Sequence, residues 1–278
     1  MKFFVYSLVF MFFLNCVTVD ESGRIISGPK FLIREQETKK WRLNEVSLGP
    51  RWSDKEKEIA ILIIPRDYEL PDQYILKDLP PVMNQGSQAS STAFAVGYLA
   101  LSSYYQNFKN TKNYYCSPSF IYNLLNNGKD EGIEILDALN LIKDSGCPPI
   151  SLMPYNEFDF KMQPNPLVVK SAQQYKIQQF ARIDPLDIYQ IATFLYNKKI
   201  IISTIYISEN FINLSKDLYE PEGKFIGKHT IAIIGYDLKK RHYYIQNSAG
   251  KDWGKNGYTW IPEEWYKRLV INAYVIIE

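Results

Sequence analysis

The feature that most constrains this chain is a polar, glycine-containing stretch that runs directly into an apolar helix. Residues 85–94 read Gln-Gly-Ser-Gln-Ala-Ser-Ser-Thr-Ala-Phe, and apolar positions continue to Leu101. The pattern predicts that Ser91 lies in the first turn of the helix, where unpaired backbone N–H groups and the positive dipole end collect. Nucleophiles are activated at such positions, but a serine there also serves as an ordinary cap. The stretch alone therefore leaves both roles open.

Two later stretches supply residue types that would complete a nucleophilic site. His229 opens the apolar run 229–236, which ends in Gly-Tyr, and Asn247 follows a second apolar run and precedes Trp-Gly-Lys-Asn-Gly-Tyr at 253–258. His229 lies 138 residues after Ser91, and Asn247 lies 156 residues after it. Together with the first stretch, these two shift the balance between the cap and the nucleophile interpretations of Ser91.

Residues 66–278 resemble the papain family of cysteine peptidases. The family motifs are Gln-Gly-x-Cys-Gly-x-Cys-Trp-Ala-Phe, a His before an apolar strand and Gly-Tyr, and Asn-Ser-Trp-Gly followed by Trp-Gly-x-x-Gly-Tyr, in the order and at about the spacing found here. The resemblance implies an α+β, papain-like two-lobe fold, with a helical first lobe, a mainly antiparallel β second lobe and a cleft between them. It also implies catalytic positions at Ser91, His229 and Asn247, and an oxyanion donor at Gln85.

Four positions depart from the family motifs. Ser91 replaces the nucleophilic Cys, and the other replacements are Gln88 for the upstream Cys, Thr92 for a Trp, as in bacterial members, and Ala249 for the Trp of the third motif. A serine hydroxyl is not ionised by a helix start and a His as a thiol is. A serine enzyme with Asn in place of its Asp loses about 10⁴ in rate, or roughly 5 kcal/mol. We also expect Ala249 to expose the His–Asn contact to water.

The sequence therefore predicts a papain-family homologue with lost or very weak peptidase activity and a cleft that binds a peptide or protein. Two alternatives stay open. One is a slow serine-type peptidase or acyl hydrolase that uses Ser91, His229 and Asn247. The other is a structural or adhesive envelope protein. By the same resemblance, Gly132 and Ile133 line a substrate-binding subsite, although a loop before a helix explains them equally well.

Local signals predict the remaining elements. Ser117-Pro118 reads as a helix start, with Leu124 on the apolar face of that helix. Another helix is predicted from Gly132 to Ser145, and Asp184-Pro185 is predicted to begin a further one. Residues 239–241, Lys-Lys-Arg, read as a hairpin turn between two strands.

The N-terminus resembles an export signal. Residues 1–15 combine Met-Lys with an apolar run, which is typical of a signal peptide. Cys16 is placed where a bacterial lipoprotein is lipidated, so the expected location is extracytoplasmic, either lipid-anchored to the bacterial membrane through Cys16 or secreted. An uncleaved anchor is the third option. Residues 16–65 read as a polar N-terminal tether, and 66–278 as the peptidase-like domain.

Net charge and sequence motifs bear on the other binding partners that the chain could have. A net charge of +2 gives no reason to expect nucleic acid binding. The sequence has no Cys-x-x-Cys motif or His cluster, so we expect no metal and no cofactor. In an extracytoplasmic compartment Cys116 and Cys147 could form a disulfide, but spacing alone does not show that their side chains meet.

Overall fold

The computed structural model describes residues 50, 52–57, 59, 61–63 and 69–277, and the backbone of two short paired strands, β1 (Thr18–Val19) and β2 (Ile25–Ile26). The predicted signal peptide, Cys16 and most of the predicted tether lie outside these residues. Within the described part of the chain, no helix combines the length and apolar character needed to cross a membrane.

The first lobe is built from helices around a buried central one. Three consecutive segments, α2 (Ser91–Ala93), a π-helical stretch (Phe94–Leu101) and α3 (Ser102–Phe108), make up this central helix. Every residue of its π-helical stretch is buried, as expected of a helix that is apolar on all sides. The other helices of this half are α4 (Pro118–Leu125), α5 (Ile135–Asp144) and α6 (Pro166–Ala172). The short helix α1 (Asp54–Lys57) precedes them in the chain and contacts the second lobe through Glu56.

The second lobe is an antiparallel sheet. Its strands are β3 (Gln73–Ile75), β4 (Phe180–Arg182), β5 (Ile201–Ser208), β6 (Phe225–Asp237), β7 (His242–Gln246), β8 (Tyr258–Pro262) and β9 (Val270–Ile276). The spatial order is β4-β9-β5-β6-β7-β8, and β3 pairs with β6. Helices α7 (Ile188–Tyr196), α8 (Glu209–Ile212) and α9 (Glu263–Leu269) connect the strands. The central helix packs on β5 and β6, and the predicted α+β two-lobe fold is confirmed.

Local capping corrects several predicted boundaries. The helix predicted from Asp184 begins at Ile188, because the Asp187 side chain accepts the N–H groups of the first turn and caps it. Asp184 instead accepts the N–H of Leu186 in a separate turn. The helix predicted from Gly132 begins at Ile135. Leu124, predicted to face the core, is exposed. Ser117 does cap α4, accepting the N–H of Phe120 at 3.2 Å.

Part of the predicted tether is docked on the second lobe. The N–H of Leu62 donates to the carbonyl of Arg182 at 2.9 Å, which extends the sheet beyond β4. The Trp52 ring packs edge-on against Tyr274, with 5.8 Å between ring centroids. The polar composition that suggested a tether did not indicate these contacts.

Candidate active site

Ser91 is the first helical residue of the central helix, as the sequence predicted from its motif. Ser90 precedes it at the cap position, and its hydroxyl is within hydrogen-bond distance of the Tyr155 hydroxyl rather than of the helix N–H groups. The Ser91 side chain is buried, and its Oγ accepts the N–H of Thr230 at 3.3 Å. Since Thr230 directly follows His229 on β6, the fold brings the nucleophile position to the strand that carries the histidine.

His229 and Asn247 are joined directly. The His229 Nε2 lies 2.7 Å from the Asn247 Oδ1. The same oxygen accepts the backbone N–H of Ser248 at 2.8 Å, which fixes it as the acceptor. Nε2 therefore carries the proton, and Nδ1 is the acceptor nitrogen of the neutral ring. The Asn247 Nδ2 is buried and has no hydrogen-bond partner among the described residues.

Burial keeps His229 uncharged. Burial lowers the pKa of His229 to about 4, and the hydrogen bond to Asn247 opposes this only in part. The expectation that Ala249 would expose the His–Asn contact is wrong, because another ring packs there. Phe211 lies 5.4 Å from the His229 ring, centroid to centroid, and Trp253 packs on Phe211 at 5.0 Å. His229 and Asn247 are each 2% exposed.

Gln85 links the two lobes beneath the site. Its Nε2 donates to the carbonyl of Gln88 at 2.7 Å, and its Oε1 accepts the Ser248 hydroxyl at 2.5 Å. Its backbone N–H also donates to the carbonyl of Ser248 at 2.7 Å. The residue is fully buried. These bonds hold the predicted oxyanion donor beside the His–Asn pair.

The substituted position Gln88 anchors the loop before the nucleophile. Its Nε2 lies 3.3 Å from the carbonyl oxygen of Asn156, and its Oε1 accepts the Tyr155 hydroxyl at 3.2 Å. Nearby, the Glu157 carboxylate accepts the N–H of Ser87 at 2.6 Å. Gly86 has a φ of +58°, which favours glycine, and a Cβ there would displace the Glu157 carboxylate. The loop is therefore held by polar contacts that its sequence did not reveal.

Thr92, the second substituted neighbour of Ser91, bridges the lobes. Its hydroxyl donates to the carbonyl of Ile133 at 2.9 Å and lies 2.8 Å from the hydroxyl of Thr230. The predicted subsite residues Gly132 and Ile133 thus lie beside the nucleophile helix. Asp130, which sequence reasoning missed, accepts the N–H of Ala89 at 2.8 Å from the same loop.

The pairing of the two cysteines, which the sequence left open, is seen in the structure. Cys116 and Cys147 form a disulfide, with 5.6 Å between their Cα atoms, and it joins the approach to α4 to the end of α5. Among the described residues, no group of three His, Cys, Asp or Glu side chains is arranged to hold a metal ion.

Comparison with known proteins assigns the family. The model of the papain family of cysteine proteases matches residues 67–277. The chain therefore belongs to the papain family of cysteine peptidases.

Individual relatives are distant in sequence. An uncharacterized peptidase C1-like protein of Acanthamoeba polyphaga mimivirus is 28% identical over 221 residues, which is 70% of this chain and 69% of the relative. Xylellain, a cysteine protease from Xylella fastidiosa, superposes with a TM-score of 0.74 at 23% identity, over 83% of this chain and 95% of that one. Bromelain from Ananas comosus, solved in complex with an inhibitor, superposes with a TM-score of 0.64 at 19% identity. The match covers 75% of this chain and 100% of bromelain. At these identities the two structures support the fold alone.

Proposed function

We propose that this protein is a papain-family homologue with lost or very weak peptidase activity, whose cleft binds a peptide or protein ligand. One observation carries the proposal: a serine hydroxyl, not a thiol, occupies the nucleophile position beside a buried, neutral histidine. Gln85, His229 and Asn247 are held by hydrogen bonds beside that position, which supports a site that keeps its order without an efficient nucleophile.

The chemistry of the site argues against efficient hydrolysis. Cysteine peptidases use a thiolate, whose negative charge also favours a protonated histidine. Ser91 offers no such charge, so burial lowers the pKa of His229 and the Asn247 hydrogen bond opposes it only in part. A serine would instead need His229 as a general base, and a base with a pKa near 4 is far below the value that suits neutral pH. Asn247 cannot supply the stabilisation that a carboxylate gives the imidazolium.

The second candidate is a slow serine-type hydrolase or acyl transferase. It is favoured by the tautomer of His229, because a proton on Nε2 makes Nδ1 the nitrogen that could accept a proton from a nucleophile. A structural or adhesive envelope role is a weaker candidate, because nothing in such a role needs Gln85, His229 and Asn247 to keep their contacts.

Export and anchoring belong to the same proposal. They rest on the signal-like residues 1–15 and on Cys16, which would carry the lipid. Cys16→Ser, or globomycin treatment, should leave the protein unprocessed or release it from the membrane fraction. Unchanged fractionation together with unchanged mobility would refute lipidation.

The direct test of the nucleophile is Ser91→Cys with an epoxide probe for cysteine peptidases. We expect labelling of the variant and none of the wild type, since the helix start and His229 can lower the pKa of a thiol at position 91. Ser90→Cys is the matched control: it places a buried thiol one residue away, facing Tyr155, and should stay unlabelled. Equal labelling of both variants would show that the site has no intact activating geometry.

A further inference from the structure

A row of buried polar side chains crosses the second-lobe sheet, starting beside Ser91. Thr230 on β6, Thr204 on β5 and Asn272 on β9 are direct cross-strand neighbours. The hydroxyls of Thr204 and Thr230 are 3.3 Å apart, and the N–H of Thr204 lies 3.4 Å from the Asn272 Oδ1. Neighbours in register share a sheet face. Asn272 therefore lies on the face of the nucleophile helix, two strand spacings or about 10 Å from Thr230.

The far end of this row is occupied by Glu56, which comes from the segment before the family domain. Its Oε1 accepts two hydrogen bonds of 2.7 Å, one from the Asn272 Nδ2 and one from the Tyr274 hydroxyl. Tyr274 is two residues beyond Asn272 on β9 and so points to the same face. The other oxygen, Oε2, accepts the N–H of Ser53 at 2.7 Å. The Ser53 hydroxyl accepts the N–H of Glu56 in return, at 3.3 Å.

The Ser53–Glu56 pair is a capping box, which accounts for the contact of only one carboxylate oxygen, Oε2. The remaining oxygen contacts two donors on β9, and Glu56, Asn272 and Tyr274 are all buried. Burial acts to raise the pKa of Glu56, but the hydrogen bonds from Ser53, Tyr274 and Asn272 outweigh it and lower that pKa below its ordinary value. The carboxylate is therefore charged.

Two charged residues flank this position. Arg182 is the register partner of Tyr274 on the neighbouring strand, and its guanidinium stacks on the Trp52 ring at 4.6 Å. Glu134, which precedes α5 of the first lobe, also acts on the Tyr274 hydroxyl, as an opposing negative charge. The Glu56 carboxylate thus lies where the first lobe, the sheet and the N-terminal segment meet.

We propose that Asn272 and Tyr274 form a carboxylate-binding subsite beside the cleft, which the chain's own Glu56 occupies here and which selects an acidic side chain in a bound peptide. The proposal rests on the proposed peptide-binding function. Two converging donors satisfy an anionic oxygen better than a neutral one, because hydrogen bonds to charged groups are the stronger class. The four-residue helix α1 acts as the internal occupant that an external peptide would displace.

The first experiment tests the subsite without any peptide. Glu56→Ala should lower the melting temperature of the full chain, and sodium propionate should restore part of the loss, more than propionamide or sodium chloride at equal concentration. Asp54→Ala is the matched control, because its side chain is 98% exposed on the same helical turn and should show no propionate response. Equal effects of propionate and propionamide on Glu56→Ala would overturn the subsite.

A second measurement, on a different variant, tests the subsite even if Glu56→Ala does not fold. Tyr274→Phe removes one donor, so the carbon-13 titration midpoint of Glu56 should move upward. An unchanged Glu56 midpoint would overturn the subsite.

A peptide pair then tests the ligand class. Fluorescent peptides that differ only in one Glu or Gln should bind the Glu56→Ala chain with about tenfold preference for Glu. Equal affinities would overturn selection of an acidic side chain. If neither peptide binds while propionate still stabilises the variant, the carboxylate subsite stands and the proposed peptide-binding function fails.

Discussion

Two buried polar clusters of the second-lobe sheet differ in charge: one holds a neutral side chain and the other a charged one. At the nucleophile corner, defined by Ser91, His229 and Asn247, burial dominates and the ring is neutral. At the Glu56 cluster the carboxylate is less deeply buried, 8% exposed against 2% for His229, and the hydrogen-bond donors around it keep it charged. The neighbours differ as well: the hydrogen bond to Asn247 offsets the effect of burial on His229 only in part, whereas the hydrogen bonds from Ser53, Tyr274 and Asn272 outweigh burial at Glu56.

The comparison explains what the replacement of a thiol does to a papain site. In a cysteine peptidase the thiolate supplies the charge that holds the histidine protonated. Ser91 supplies no such charge, although it bonds to Thr230 and His229 bonds to Asn247.

The largest expected effect comes from opening the corner to water. Phe211→Ala should lower the free energy of unfolding by about 3–5 kcal/mol, because a fully buried ring is lost. It should also raise the pKa of His229 toward its ordinary value, since burial is what depresses it. Urea unfolding and NMR titration measure the two effects. Phe120→Ala, in the first lobe, should cost similar stability and leave the His229 midpoint unchanged.

The second effect is the pH dependence of stability. The folded-state pKa of His229, about 4, lies below the ordinary histidine value of 6.5, so the unfolded chain binds more protons between these values. Stability should therefore fall as pH drops from about 6.5 to 4, by about 3 kcal/mol from this residue. His229→Gln should flatten the profile in that window, and His242→Gln should change it less, because His242 is only partly buried. An unchanged slope in His229→Gln would contradict the neutral corner.

Glu56 and its hydrogen-bond donors should cause a smaller change in the free energy of unfolding, and at lower pH. Glu56→Ala should cost about 1–3 kcal/mol near neutral pH, because the buried Asn272 amide and Tyr274 hydroxyl lose their acceptor. Since the folded pKa of Glu56 is lowered, this contribution is present above the unfolded value of 4.5 and is lost as pH falls through the folded pKa. Chemical denaturation of the variant and wild type at several pH values would show the two curves converging in acid.

The smallest effect concerns the contact between the two lobes. Thr92→Val removes the hydroxyl that reaches Ile133 and Thr230, and should cost about 1–2 kcal/mol. Thr111→Val, whose hydroxyl bonds only the carbonyl of Lys109 near the surface, should be nearly neutral. Similar costs for both variants would mean that Thr92 does not hold the lobes together.

Sequence reasoning was most successful for residues that belong to local motifs. The site residues Ser91, His229 and Asn247 follow from the resemblance to the family motifs, and the Ser117 cap follows from residue type. The helix expected at Asp184 failed because two aspartates three residues apart offer the same cap signal, and only tertiary packing selects Asp187.

The contacts that sequence reasoning missed join residues that are far apart in the chain. Phe211 protects His229 in place of a ring at position 249, and no spacing rule connects the two positions. Glu56 was assigned to a polar tether, although Ser53-Asp54-Lys55-Glu56 is a capping-box pattern. That pattern could have revealed the helical turn, but only the folded sheet shows that Asn272 and Tyr274 meet the carboxylate.

The most direct test of the central claim is the rate of peptide hydrolysis by the purified wild-type chain, measured beside Ser91→Ala. The account predicts that the two proteins show the same rate, at the background of the assay, because Ser91 has no effective base. A wild-type rate that falls sharply in Ser91→Ala, and equally in His229→Ala, would contradict the account and identify a serine-type enzyme on a papain fold.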